Sequence, residues 1–160
     1  MPISVLPDDT IRTIGSTQVL TDSASVVKEL IDNAIDARAS AIFVEISTNA
    51  LNIIQVKDNG YGVAPVDRAL VCKRYCTSKI SSFDDVATIG GISLGFRGEA
   101  LASAAEMSGA LIVTTKIEGE ATATSLKISR QGEISRCVFR GFAVGRADLQ
   151  LLVKNVPLIP

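Results

Sequence analysis

The sequence predicts an α+β domain in which helices cover a β-sheet. Of the 160 residues, 47% are hydrophobic, which is enough for one globular domain with a sizeable core. Only five phenylalanines and two tyrosines are present and tryptophan is absent, so the core must consist mainly of Val, Ile, Leu and Ala. Segments of helical periodicity and segments of strand-like alternation follow one another along the chain, which favours the same class.

Each element follows from a local pattern. Thr21, Asp22 or Ser23 can cap the first helix, and the alternating runs on either side of residues 47–50 predict a β-hairpin. Residues 81–94 are rich in Ser, Asp and Gly and predict a connector. In order, the predicted elements are an arm (1–20), a helix (21–37), two hairpin strands (42–46 and 51–58), two helices (64–74 and 99–107) and a three-strand meander (111–116, 121–128 and 133–139).

Composition excludes several classes of protein. The 16 basic and 17 acidic residues give a net charge of −1, so no general basic field indicates nucleic-acid binding. Cys72, Cys76 and Cys137 lack the spacing of a zinc site and have no histidine to join them, so we expect reduced, packed thiols. The start has no signal-peptide pattern and no apolar run approaches 18 residues, which predicts an intracellular protein without membrane contact.

The first helix carries a polar stripe. At about 100° per residue, Glu29, Asp32, Asn33 and Asp36 fall within an arc of roughly 100°, and the remaining positions are mainly apolar. A carboxylate at Glu29 can polarise a water, and the carboxamide of Asn33, one turn later, can offer an oxygen to a hard cation such as Mg²⁺. A solvated acidic face would give the same pattern.

A second polar position ends the hairpin. Ile54, Val56 and Asp58 share a strand face, so Asp58 places a carboxylate at the end of an apolar row, where it needs a donor. A ligand such as an exocyclic amine could supply that donor. Gly60 and Gly62 could let a flat ligand approach the backbone, although a tight hairpin exit also explains an Asn-Gly pair.

Two further segments could contact phosphate. Two glycines precede the 99–107 helix, and backbone N–H groups there can bind an anion next to the helix N-terminus. The segment has neither a GK[ST] nor a GxGxxG pattern, so it is weak evidence alone. Thr77, Ser78 and Lys79 offer two hydroxyls and a cation, although a lysine after a helix can simply be solvated.

The order of these segments resembles the ATPase domain of MutL-type DNA mismatch repair proteins. That domain belongs to the GHKL (Bergerat-type) superfamily shared with gyrase, a heat-shock chaperone and histidine kinases, and its fold is a two-layer sandwich of a mixed β-sheet and helices. The matching segments are Glu29-Leu-Ile-Asp-Asn33-Ala-Ile-Asp36-Ala37, Asp58-Asn-Gly60-Tyr-Gly62, Thr77-Ser78-Lys79-Ile80 and Gly95-Phe96-Arg97-Gly98-Glu99-Ala100-Leu101. The last two point to MutL-type proteins within the superfamily.

The resemblance implies a role for each segment. Glu29 would activate the attacking water, Asn33 would hold Mg²⁺, and Asp58 would accept from the adenine amine, with Gly62 lining the base pocket. Thr77, Ser78 and Lys79 would contact the nucleotide, and the backbone of residues 95–101 would form part of a lid over the phosphates.

The sequence also departs from the family pattern. The family usually has Gly where Arg38 stands, and a left-handed backbone there would cost roughly 1 kcal/mol. A Gly-Thr motif is expected near Gly145, where Arg146 follows instead, so we expect the pocket to lack one hydroxyl near adenine. The resemblance therefore divides the chain into an arm (1–20), the ATP-binding domain (21–145) and a divergent segment (146–160), with the family's second subdomain absent.

The resemblance implies Mg²⁺-dependent ATP binding and weak hydrolysis, with ATP driving lid closure and N-terminal dimerisation. The implied partners are a second MutL-type chain, a MutS-type mismatch-recognition protein and DNA, in the nucleus of a eukaryote or otherwise in the cytoplasm. Two alternatives stay open. One is a catalytically inactive, nucleotide-responsive interaction module or fragment, and the other is a topoisomerase-type or kinase-type branch of the superfamily.

Overall fold

The computed structural model describes residues 3–5, 23–48, 52–79, 99–141 and 148–154. Most of these residues form one sheet layer and one helical layer, and two short strands pair apart from the main sheet. The helices are α1 (Ser23–Asp36) and α2 (Ala100–Met107), with a short 3₁₀ helix at Pro65–Asp67. The strands are β1 (Ser4–Val5), β2 (Ile42–Ile46), β3 (Ile53–Asp58), β4 (Cys76–Thr77), β5 (Ala110–Lys116), β6 (Thr122–Ile128), β7 (Ile134–Gly141) and β8 (Asp148–Lys154).

Six strands form the main sheet in the order β2-β3-β8-β5-β6-β7, and β1 pairs separately with β4. The predicted hairpin is confirmed, because β2 and β3 pair antiparallel with Ile42 opposite Asp58. The α+β class is confirmed as well. Within the described strands, however, the pairings are antiparallel rather than mixed. β3 and β5 run parallel to each other, but β8 lies between them and pairs antiparallel with both.

The core lies between one face of the sheet and the two helices. Strand alternation turns Ile54 and Val56 of β3 towards Val26 and Leu30 of α1, and all four side chains are almost fully buried. Burial of each such side chain contributes about 1.5–3 kcal/mol to the free energy of unfolding. Because Asp58 shares the face of Val56, the core also fixes the direction of this carboxylate.

Two segments differ from the sequence prediction. Residues 64–74 do not form a full helix: after the 3₁₀ turn, Leu70 N–H donates to the Asp67 carbonyl at 2.9 Å, a three-residue spacing typical of tight turns. The sequence also gave no indication of β8 between β3 and β5, because its pairing is with strands far away in the chain.

Residues 81–98 and 142–147, which include the predicted connector, most of the Gly-rich turn and Arg146, lie outside the described residues.

The thiols match the prediction in part. Cys72 is buried in the core, where burial raises the pKa of its thiol to about 12, so it packs as an apolar group. Cys137, in contrast, is exposed.

Among the described residues, no group of three or more His, Cys, Asp or Glu side chains could hold a metal ion. No helix in this part of the chain is long and apolar enough to cross a bilayer.

Helix α1 is terminated by a left-handed residue, which is the condition under which the sequence analysis expected strain at Arg38. Arg38 has φ = 56°. Its N–H donates to the Ile35 carbonyl at 2.9 Å, and Ala39 N–H donates to the Ala34 carbonyl at 3.1 Å. This pair of bonds is the Schellman motif, in which glycine is the favoured residue at the position that Arg38 occupies.

We expect Arg38→Gly to raise the free energy of unfolding by up to about 1 kcal/mol, because glycine adopts this conformation without a Cβ penalty. Urea unfolding would measure the change. Arg38→Ala is the matched control, since it also removes the exposed side chain but keeps the left-handed Cβ. If both variants had the same stability, backbone strain at this position would be excluded.

Candidate functional site

The polar stripe of α1 lies next to the segment that follows β4. Val26, Leu30 and Ala34 take the buried face of α1, so Glu29, Asn33 and Asp36 lie on another side of the helix. The Lys79 ammonium donates to Asn33 Oδ1 at 3.1 Å and forms an ion pair with Asp36. Only 19% of the Lys79 side chain and 7% of the Asp36 side chain are exposed. The alternatives of a solvated lysine and a solvated acidic face are therefore wrong for this pair.

The other residues of this region have less specific surroundings. Glu29 is half-buried, one turn before Asn33. Thr77 is buried, and its Oγ1 accepts the backbone N–H of Lys79 at 3.1 Å, which shapes the chain around half-buried Ser78. Thr77 itself is held by β4, which pairs with β1 so that Thr77 lies opposite Ser4.

The turn after β3 is fixed to the C-terminal end of α1. Asp58 is only 3% exposed, and its Oδ1 accepts the Gly60 N–H at 2.8 Å. The Tyr61 N–H donates to the Ala37 carbonyl at 3.1 Å. A Cβ on Gly60 would lie 2.7 Å from Ala37 Cβ, so the two segments are in direct contact there. Asp58 is thereby brought to the same end of α1 as Asn33 and Asp36.

Asn59 has a structural role that the sequence did not reveal. Its Oδ1 accepts the N–H groups of Ser40 and Ala41, each at 2.9 Å, and its Nδ2 donates to Ser40 Oγ at 2.9 Å. The side chain thus joins the turn after β3 to the connection between α1 and β2. The Asn-Gly pair therefore joins these two segments as well as forming the exit of the hairpin.

Gly62 lies directly against β5. Its φ is 70°, and a Cβ there would lie 2.2 Å from the Lys116 carbonyl oxygen. The next residue, Val63, donates its N–H to Thr115 Oγ1 at 2.8 Å. In this structure the close approach that requires glycine is therefore to the protein backbone.

Thr115 is a site residue that the sequence analysis missed. It is fully buried and holds the turn that contains Gly62. The alternation in the sequence could have indicated this residue, because Leu111, Val113 and Thr115 share the buried face of β5. A polar side chain at the end of an apolar row is the same pattern that identified Asp58.

The described part of the Gly-rich segment is the start of α2, and residues 95–98 lie outside the described residues. Leu101 packs against the core. Arg74 holds Glu99 at 3.4 Å and forms two bonds to Glu106, at 2.9 and 2.5 Å. These side chains are engaged within the protein, so any contact of residues 99–101 with an anion would come from backbone N–H groups of the first helical turn.

The donor set fits a magnesium nucleotide. The oxygens of Asn33 and Asp36 accept a cation in this structure, namely the Lys79 ammonium. Asp58 supplies a buried carboxylate, and the three segments meet at one end of α1. The structure therefore brings the predicted residues Asn33, Asp58 and Lys79 to the same end of α1.

Comparison with known proteins identifies the class. A family model described as histidine kinase-, DNA gyrase B-, and HSP90-like ATPase matches residues 21–137, and the chain belongs to this family. It is a MutL-type N-terminal ATPase domain. The DNA mismatch repair protein MutL of Edwardsiella ictaluri is 44% identical over 123 residues, which are 77% of this chain and 19% of that protein. MutL of Xanthomonas oryzae pv. oryzae is 38% identical over 159 residues, which are 98% of this chain and 25% of that protein.

Solved structures agree on the fold. The N-terminal domain of a DNA repair protein has a TM-score of 0.68 at 30% identity, covering 91% of this chain and 39% of that one. The ADP complex of the Aquifex aeolicus MutL ATPase domain has a TM-score of 0.56 at 23% identity, covering 86% and 44%. The ATPase region of Saccharomyces cerevisiae topoisomerase II has a TM-score of 0.63 at 14% identity, covering 82% and 37%, which shows a common fold alone.

The chain spans about a quarter or less of the length of the MutL proteins named above. Both relatives are bacterial, so they give no support to the nuclear alternative.

Proposed function

We propose that this domain binds ATP with Mg²⁺ and hydrolyses it weakly. The observation that carries the proposal is the Lys79 ammonium bound to Asn33 and Asp36, at the end of α1 where the turn of buried Asp58 is attached. A pair of oxygens that accepts a cation, beside a buried acceptor for a base, is what a magnesium nucleotide needs. The Aquifex aeolicus relative was solved with ADP, which supports the same ligand class.

The proposed roles follow the positions of the side chains. Glu29 orients the attacking water, Asn33 offers Oδ1 to Mg²⁺, and Asp58 accepts from the exocyclic amine of adenine. Gly62 keeps the base-side turn against β5. Mg²⁺, when bound, would neutralise developing charge on the phosphate oxygens. The proposal gives Thr77, Ser78 and Lys79 contacts to the nucleotide and the backbone of residues 95–101 a place in the lid.

A titration with a fluorescent ADP analogue, with and without Mg²⁺, tests the proposal. We expect Asn33→Ala to lose the part of the affinity that depends on Mg²⁺, at least about tenfold, because one metal ligand is lost and one tenfold step is about 1.4 kcal/mol. Without Mg²⁺ the variant should bind like the wild type to within about twofold.

The matched control is Asn52→Ala, an exposed asparagine between β2 and β3, which should behave like the wild type. If the wild type did not bind the analogue, or if Asn33→Ala kept its full response to Mg²⁺, the proposed metal ligand would be refuted.

At the level of the whole protein we propose a role in DNA mismatch repair, as in the MutL relatives. In this proposal ATP closes the lid and favours dimerisation with a second MutL-type chain, and the dimer acts with a MutS-type partner and DNA. The place of action would be the compartment that holds the genome, which is the cytoplasm in a bacterial cell.

One sequence feature favours a second candidate, a nucleotide-responsive module without turnover. Arg146 stands where the family pattern has the threonine of a Gly-Thr motif. Steady-state phosphate release distinguishes the candidates: release that disappears in Glu29→Ala indicates an ATPase, whereas nucleotide binding without release indicates the module.

A further inference from the structure

Arg68 joins three separate parts of the domain through its guanidinium. The residue is only 9% exposed. Its Nε donates to the Val63 carbonyl at 3.1 Å, its Nη1 to Thr124 Oγ1 at 2.9 Å, and its Nη2 to Glu120 Oε2 at 2.6 Å. The turn after β3, strand β6 and the loop between β5 and β6 thus meet at one side chain.

The carboxylate that neutralises Arg68 is itself held in place. Glu120 Oε2 also accepts the Ile117 N–H at 2.9 Å, which fixes it to the residue that follows β5. The hydrogen bond from Arg68 lowers the pKa of Glu120, which keeps this carboxylate charged at neutral pH. The guanidinium is therefore anchored to the end of β5, next to Lys116.

Both backbone polar groups of Val63 are hydrogen-bonded as a result. Its N–H donates to Thr115 on β5, and its carbonyl accepts from Arg68. Gly62 precedes it, and its Cα approaches the Lys116 carbonyl closely enough to exclude a Cβ. The turn of Gly62 and Val63 is thus fixed by one hydrogen bond from Val63 to β5 and one from Arg68 to Val63.

We propose that Arg68 is a positioning residue for the base-binding side of the nucleotide site, because it holds the turn of Gly62 and Val63 against β5. The inference rests on the proposed function, which places adenine at Asp58 and Gly62. Loss of Arg68 would therefore weaken binding of the base and leave binding of the phosphates almost unchanged. A purely structural ion pair would affect both equally.

The experiment compares two competitors of a fluorescent ADP analogue in the presence of Mg²⁺: adenosine, which carries the base, and inorganic pyrophosphate, which does not. Arg68→Met keeps a long apolar stem but no donors. We expect it to lose at least about tenfold in adenosine affinity and less than about twofold in pyrophosphate affinity. Arg130→Met is the matched control, because Arg130 is exposed and donates to the Ser108 carbonyl, and we expect both affinities to be unchanged.

A second variant, Arg68→Lys, tests the same proposal in case Arg68→Met does not fold. Lysine keeps the charge for Glu120 but cannot donate to Val63 and Thr124 at once in the fork geometry of arginine. We expect reduced adenosine affinity and shifted amide resonances of Gly62 and Val63 in the ¹H–¹⁵N spectrum, with a cooperative unfolding transition retained.

Each other outcome overturns the proposal. Equal losses for both competitors would make Arg68 a stability residue only, and unchanged adenosine affinity in both variants would exclude any positioning role. If the wild-type protein binds neither ADP analogue nor competitor, the proposed function itself fails. That failure is distinct, because it is seen before any variant is made.

Discussion

Replacing Asp58 by asparagine is expected to remove most of the affinity for an adenine nucleotide while the domain still folds. Asparagine keeps an oxygen that can accept the Gly60 N–H, which in the native protein lies 2.8 Å from Asp58 Oδ1. The second carboxylate oxygen, however, becomes an NH₂ donor, and the exocyclic amine of adenine is also a donor. The lost bond to a charged acceptor is worth about 1.5–3 kcal/mol, so the affinity for ADP should fall about 10- to 100-fold.

The same exchange should change the preference between bases. Guanine carries an acceptor oxygen where adenine carries its amine, so the new NH₂ group can donate to guanine. Calorimetric titration with ADP and GDP would show a smaller preference for ADP in Asp58→Asn than in the wild type. Glu45→Gln makes the same charge change at an exposed position on the opposite sheet face and should alter neither affinity. An unchanged ADP affinity in Asp58→Asn would exclude Asp58 as the base acceptor.

Gly62→Ala should be the most destabilising single change in the site. The added Cβ would lie 2.2 Å from the Lys116 carbonyl oxygen, and the backbone has φ = 70°, which costs a residue with a Cβ about 1–2 kcal/mol. Relief of the overlap requires the turn to move away from β5, which would weaken the bond from Val63 to Thr115. We expect the free energy of unfolding to fall by about 3 kcal/mol or more, with loss of nucleotide binding.

Gly119→Ala separates the cost of the left-handed backbone from the cost of the steric overlap. Gly119 has φ = 88°, but a Cβ there would meet nothing within 4 Å. This variant should therefore lose only the conformational part, about 1–2 kcal/mol, and should bind nucleotide normally. Urea unfolding of both variants would measure the difference. If Gly62→Ala were no less stable than Gly119→Ala, the close approach of the turn to β5 would be refuted.

Local sequence patterns were sufficient for the parts of the site that lie on regular elements. The 3.6-residue period of α1 placed Glu29, Asn33 and Asp36 on one stripe, and that stripe lies beside the buried face of the helix. The two-residue period of β3 placed Asp58 in line with Ile54 and Val56, and all three side chains are buried. Both predictions succeeded because the periodicity of an element fixes the direction of a side chain before any tertiary contact forms.

The same patterns failed where an element depends on distant partners. Residues 64–74 were predicted to form a helix, but buried Arg68 bonds to Thr124 and Glu120, and the segment forms tight turns instead. β8 was not predicted, although it pairs with both β3 and β5 in the middle of the sheet.

The sequence by itself determined the α+β class, the hairpin, the two main helices and the residue types on which the proposed magnesium-nucleotide site depends. Only the tertiary structure decided that Lys79 contacts Asn33 and Asp36, that Thr115 holds the turn of Gly62, and that β8 completes the sheet. The physical reason is the range of the interactions. Helical and strand periods act over a few residues, whereas these contacts join groups more than 30 residues apart and form only when the whole domain has packed.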